Sequence, residues 1–274
     1  MARQALNPEL GDALVFEGAG VRMPRRRRRR GDGRRQRLRR IAGEVRRDEV
    51  WRLRDASFTV APGESVAIVG GKGSGREALL RLAAGTLIAD EGTVQRRASV
   101  VPMIDVARSL VRSYTVRQNI YIVGGLLGMT PDDIGRELSG IVSFAGVESV
   151  LDKYLGAATP LVRQRLAWAI TMATGARAFA IEQTLIVGDR DYRQQCWTRV
   201  DQLRADGVTF LIASDSAKQF RRFCDRAILL DNGRVAALTT VPDAIAQLRD
   251  SRRRADDAEP DGDDSSTDSP DTGL

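Results

Sequence analysis

The sequence contains no histidine at all, so no residue can fill a role that requires an imidazole. Cysteine occurs only as Cys196 and Cys224, too few for a disulfide framework, and a reduced cytosolic setting is the expectation. No run of about eighteen or more apolar residues is present, which excludes a hydrophobic membrane-spanning helix. The first residues lack the apolar core of a secretory signal. Lysine is confined to Lys72, Lys153 and Lys218, so the net charge of +7 rests almost wholly on arginine. That reads as compositional bias, and affinity for nucleic acid is not inferred from it. Within 274 residues the hydrophobic share of 42% supports one generous domain or two small ones.

The charge is unevenly placed. Arg25 to Arg30 form an unbroken run, continued by Arg34, Arg35, Arg37, Arg39 and Arg40. The end is the reverse, with Asp256, Asp257, Glu259, Asp261, Asp263, Asp264, Asp268 and Asp271 among Ser, Thr, Gly and Pro. Like-charge blocks repel and resist compaction. The expected organisation is therefore a flexible N-terminus (1–12), a domain over 13–250 carrying a basic insert (24–47), and a disordered acidic tail (251–274).

Within the domain, 13–21 and 50–60 alternate as strands, and 65–69 is an apolar run fit for a buried strand. A helix is predicted over 78–85, with Gly85 just past its end, and a strand over 93–101. The pattern from Val116 to about Leu151 is mostly helical, followed by a helix over 162–175 that ends at Gly175. Next come a strand at 178–181, a helix from about Asp191 to Arg204, a strand at 209–214 and a short helix. Two strands at 226–231 and 234–239 are joined by Asn232-Gly233, a hairpin signal, before an amphipathic helix over about 242–250. Strand-loop-helix units alternating with buried strands predict an α/β sheet carrying an inserted helical subdomain, 104–156.

The stretch Gly70-Gly71-Lys72-Gly73-Ser74-Gly75-Arg76-Glu77 follows a buried strand and opens a helix. Its spacing is that of the phosphate-binding loop G-x-x-x-x-G-K-[ST], with Arg76 at the lysine position and Glu77 at the hydroxyl position. The glycines leave the backbone free to wrap an anion, and a helix N-terminus favours one. Arg76 keeps the charge, but its planar fork differs from a point-charge ammonium. Glu77 places a carboxylate on the first helical turn, able to ligate a cation but longer and more charged than a hydroxyl. Two readings stand for the loop: an anion site, or a strand-to-helix turn without a ligand. Lys72 either reaches back to a phosphate or is a solvated loop residue.

"FTVAPGESVAIVGGKGSG", "YTVRQNIYIVGGLLGMTPDDI", "VRQRLAWAI", "LIVGDRDYRQQC" and "FCDRAILLDNGRV" stand in order, and near the spacing, of an ABC-transporter ATP-binding subunit. "TVRQNIY" and the V-G-D-x-x-[FY]-x-x-x-C pattern resemble, within that superfamily, the subunits that drive export of cell-surface polysaccharides such as O-antigen, galactan or teichoic acid. The resemblance covers about residues 13–248. It implies a P-loop NTPase cassette of α/β class: a mixed-sheet core, an N-terminal antiparallel β-subdomain and an inserted helical subdomain. It also implies ATP and Mg²⁺ as cofactors, held by Gly70 to Glu77 with Glu77 and Glu182 as candidate magnesium ligands. Family members are ABC-type ATPases.

Against that pattern several positions depart in one direction. Glu182 and Gln183 stand where the family has Asp and a catalytic Glu, and Gln cannot accept a proton, which removes the general base. Asp215 takes the place of the switch histidine, and it would repel a terminal phosphate; its simpler reading is a helix N-cap. Thr159, Pro160 and Leu161 replace the Ser-Ser-Gly of the signature motif. Pro160 deletes a backbone donor, and Leu161 puts a side chain where the facing subunit's nucleotide approaches. Met23 stands where an adenine-stacking aromatic is frequent. The inter-subunit loop Val187-Gly188-Asp189 is retained.

In this family each site is shared, the loop of one subunit facing the signature of the other. With both halves altered in one chain, neither a homodimer nor a heterodimer with an intact ABC subunit assembles a complete site. Weak or absent hydrolysis is expected. Expected partners are a second cassette and an integral-membrane permease of polysaccharide-export type, with the chain peripheral on the inner face of the cell membrane and no nucleic acid. The alternative is a non-catalytic pseudo-ATPase scaffold or regulator of such a complex. Residues 24–47 lack interleaved aromatics for base stacking; they read as an anionic-lipid contact or as a solvated loop neutralised by the acidic tail.

Overall fold

The computed structural model describes residues 12–24, 49–182 and 186–258. The expectations for the N-terminus, nearly all of the basic insert, Gln183 and the last part of the acidic tail lie outside those residues.

Nine strands among the described residues make two sheets. The smaller is antiparallel, in the order β2 (Glu49–Val60), β1 (Leu14–Pro24), β4 (Glu91–Arg96). The larger runs β5 (Val100–Met103), β6 (Ala178–Glu182), β7 (Thr209–Ala213), β3 (Ser65–Gly70), β8 (Arg226–Asp231), β9 (Arg234–Thr239). Its pairs from β5 to β8 are parallel and β8–β9 is antiparallel, a mixed sheet.

The middles of the central strands are apolar because both of their faces are covered. In β3, Ala67 and Val69 enter one core cluster while Val66 and Ile68 enter the other. β6 and β7 divide the same way, with Phe179, Ile181, Phe210 and Ile212 on the first side and Ala178, Ala180, Leu211 and Ala213 on the second. The second layer holds the small sheet and α1 (Arg76–Ala83), whose Leu79, Leu80 and Leu82 are fully buried. The first holds α2 (Val116–Leu126), α3 (Pro131–Ala145), α4 (Pro160–Met172) and α5 (Arg190–Ala205). Tyr192, Cys196, Val200 and Leu203 form the buried stripe of α5 at helical spacing. α6 (Ala217–Phe223) and α7 (Val241–Ala258) complete this side.

Local chemistry explains most boundaries. Thr115 and Thr130 open α2 and α3 with reciprocal capping boxes through Gln118 and Asp133. Asn232 (φ 45°) and Gly233 (φ 78°) both adopt the left-handed region, as a two-residue hairpin turn demands. Three expectations are corrected. The single strand predicted over 93–101 is two strands in different sheets, β4 paired to β1 and β5 to β6, because the chain crosses between layers at 97–99. α1 starts at Arg76, directly after the loop, so Arg76 and Glu77 are its first two residues. The last helix runs past 250 to Ala258, so the chain is helical where a disordered tail was expected to begin.

Candidate functional site

The glycine-rich loop lies between the C-terminal end of β3 and the N-terminus of α1. Gly73 (φ 85°) and Gly75 (φ 101°) hold left-handed conformations that fold the chain back before the helix starts. A Cβ on Gly75 would collide with the Arg52 carbonyl of β2, and one on Gly70 would collide with Ser74 Oγ. The hairpin turn braces the loop from another side: Gly233 N–H donates to the Ser74 carbonyl at 3.1 Å, and Arg54 N–H donates to the Gly233 carbonyl at 2.7 Å. Ser74 is only 6% exposed, and its hydroxyl has no partner. A braced loop with an orphaned buried hydroxyl at the start of an eight-residue helix fits an anionic ligand. Lys72 and Gly73 are exposed, and Gly71 is half-buried.

Arg76 is turned away from solvent. One of its guanidinium nitrogens donates to the Ser214 carbonyl at 3.1 Å and to Asp215 Oδ1 at 2.9 Å. The first residue of α1 and a residue just beyond β7 are thus joined in an ion pair. Asp215 is not the N-cap of α6. Ser216 caps that helix, its hydroxyl accepting from Gln219 N–H, while the Asp215 carboxylate is engaged by Arg76.

Glu77 pairs with Arg81 one turn along α1 at 3.0 Å. Glu182, half-buried at the end of β6, has its pKa raised above the ordinary carboxylate range. Burial is the main cause, followed by the charges of Glu77 and Asp105, with Arg81 and Arg76 pulling the other way. Three carboxylates therefore crowd the region beside the loop. Among the described residues no group of three or more His, Cys, Asp or Glu is placed to hold a metal ion. The diphosphate-cradling part of the loop fits an anion. The end where a third phosphate and Mg²⁺ would be managed does not fit them, because Arg76 is spent on Asp215 and Glu77 on Arg81.

The signature-like residues lie elsewhere on the first layer. Thr159 is the N-cap of α4, accepting from Val162 N–H at 3.3 Å, so its hydroxyl is used by its own helix. Pro160 occupies the first helical turn, where a missing N–H costs nothing. Leu161 is 39% exposed beside it. Asp189 caps α5 through Tyr192 N–H and also pairs with Arg165 of α4. Tyr192 donates to the Arg165 carbonyl and lies beneath its guanidinium at 4.7 Å. Gly188 (φ 91°) packs on the Tyr192 ring so closely that a Cβ would overlap it, and Val187 is half-buried beside it. Phe144 of α3 stacks on Trp168 of α4 at 5.0 Å between centroids, and Tyr192 of α5 meets both rings edge-on at 5.4 and 6.3 Å. The loop 187–189 is thereby locked to the signature-like helix. No sequence signal identified Arg165, Asp105, Arg52 or Gly233 as neighbours of these motifs, because each acts through a tertiary contact.

The ABC transporter family profile matches residues 53–181. The ABC transporter protein AbcA of Aeromonas salmonicida is 34% identical over 183 residues, which is 67% of this chain and 59% of AbcA. The O-antigen export system ATP-binding protein RfbB of Klebsiella pneumoniae is 27% identical over 183 residues, 67% of this chain and 74% of RfbB. The teichoic acids export ATP-binding protein TagH of Listeria monocytogenes serotype 4b (strain F2365) is 28% identical over 200 residues, 73% of this chain and 59% of TagH. This chain therefore spans about six tenths of AbcA and of TagH. A nucleotide-free ATP-binding cassette from an ABC transporter superposes with a TM-score of 0.61 at 16% identity, over 91% of this chain and all of that one. That likeness concerns the fold alone. With an antiparallel subdomain, a mixed sheet and a glycine-rich loop between strand and helix, the chain has the ABC-cassette fold, and it is similar at modest identity to the O-antigen and teichoic acid export ATP-binding proteins.

Proposed function

We propose that this chain is the cassette subunit of an ABC transporter exporting a cell-surface polysaccharide, with ATP hydrolysis impaired. It works on the inner face of the cell membrane, paired with a second cassette and docked on an integral permease. The observation that carries the impairment is the Arg76–Asp215 pair, which commits the loop's cation to an internal carboxylate. A surface for the permease is offered by 104–156. There Tyr114, Tyr121, Leu126 and Tyr154 are exposed large apolar side chains, 39–71% accessible, in and around α2. No described helix is long and apolar enough to cross a membrane; residues 24–47 are read as a contact with anionic lipid.

The same ion pair favours a second reading, a scaffold that holds a transporter complex without turnover. Purification from detergent-solubilised membranes tests both. A polysaccharide-export permease is expected to co-purify, and the contact is expected to fail when Tyr121 and Leu126 are changed to Asp. ATP turnover by the purified complex is expected to sit near background. A robust rate that vanishes on changing Glu182 refutes both the impairment and the scaffold.

A further inference from the structure

We infer that the phosphate loop takes a nucleoside diphosphate in preference to a triphosphate, and that Asp215 sets this preference. The inference rests on reading the loop as a nucleotide site. The loop's own contribution is complete without any side-chain cation. Its backbone is folded back by Gly73 and Gly75, braced by Arg52 and Gly233, and followed by a helix whose first amides are free of partners within the helix. The buried Ser74 hydroxyl, unpartnered and against Gly70, adds a polar group inside the same loop. Backbone amides of this kind cradle the inner phosphates of a nucleotide, and the cation at the lysine position answers the outer end of the phosphate chain.

Arg76 is the cation at that end, and its contacts are already made. To reach a third phosphate it must abandon the Ser214 carbonyl and Asp215. Asp215 would then stand unpaired and 76% exposed beside the added phosphate, near Glu182, which is itself in electrostatic reach of Glu77 and Asp105. Arg81, the other cation beside this group, is already paired with Glu77. A diphosphate stops short of this carboxylate group and leaves the Arg76–Asp215 pair intact. The third phosphate therefore costs an ion pair and meets like charge, whereas the first two meet only amides.

The test measures binding of ADP and ATP to the full chain by calorimetry, with Mg²⁺ and with EDTA, in wild type and D215N. Thermal melts check that both are folded. Wild type is expected to bind ADP at least about fivefold more tightly than ATP, the effect of roughly one unit charge at contact range in water-like surroundings. Inorganic pyrophosphate is expected to outcompete tripolyphosphate in the same order, which assigns the preference to the phosphate chain and not to the base. D215N is expected to bring ATP to within about twofold of ADP, with ADP affinity little changed. Equal or tighter ATP binding by wild type, or an ADP:ATP ratio that D215N leaves in place, overturns the inference while the nucleotide site stands. Binding of neither nucleotide by either folded protein overturns the nucleotide site itself.

Discussion

Replacing Asp215 by Ala and Arg76 by Met, singly and together, measures what the pair between loop and switch position is worth. The two groups approach to 2.9 Å, with Arg76 20% and Asp215 76% exposed. Two unit charges at that distance in a water-like dielectric attract by about 1.4 kcal/mol. Ordering two side chains at a largely solvated position reduces this to about 0.5–1 kcal/mol. D215A is therefore expected to cost about 0.5–1 kcal/mol. R76M is expected to cost more, about 1.5–2.5 kcal/mol, because the charge-assisted bond to the Ser214 carbonyl goes with it. In the R76M background D215A is expected to cost nothing further, giving a coupling of about 0.5–1 kcal/mol. Urea denaturation with unchanged m-values reads all four corners of the cycle, and repetition in 1 M NaCl is expected to shrink the coupling. A coupling under about 0.2 kcal/mol at low salt refutes the reasoning, since Asp215 would then be a bystander and Arg76 free to serve a ligand.

Two further outcomes test the buried chemistry around this region. Because burial and the neighbouring Glu77 and Asp105 raise the pKa of Glu182, its ionised form costs the fold as pH rises from the ordinary value of 4.5 through the raised one, and stays costly above. E182Q is expected to raise the melting temperature at pH 8 by about a degree or more and to lose that gain at pH 4; an equal gain at both pH values contradicts the assignment. Burial also pushes the Cys196 thiol up to about 11 and the Cys224 thiol up to about 12. Both are expected to react with Ellman's reagent at pH 8 at least about a hundredfold more slowly in the native protein than in guanidinium, and a fast native phase would count against the buried placement.

What the sequence revealed and what it hid divide along a physical line. β3, β6 and β7 were legible because strands covered on both faces carry continuous apolar runs through their middles. The Asn232-Gly233 hairpin was legible because few residue pairs accept two left-handed conformations. The split between β4 and β5 was not, since the crossing at Arg97, Ala98 and Ser99 contains no Gly or Pro to mark it. The loop's glycines were read correctly as a turn before a helix, but what holds that turn came from Arg52 and Gly233, far away in the chain.

The misreading of Asp215 as an N-cap is the most informative. Asp215 and Ser216 are adjacent and both are good caps, so local chemistry cannot choose between them. The choice was made by Arg76, 139 residues away in sequence. Taken one position at a time, arginine for lysine and aspartate for histidine each count as a loss of phosphate chemistry. Side by side they form a neutral pair that keeps the end of β7 tied to the start of α1. The two departures are then one structural change. It is a contact the protein makes with itself, joining two segments that lie 139 residues apart in sequence.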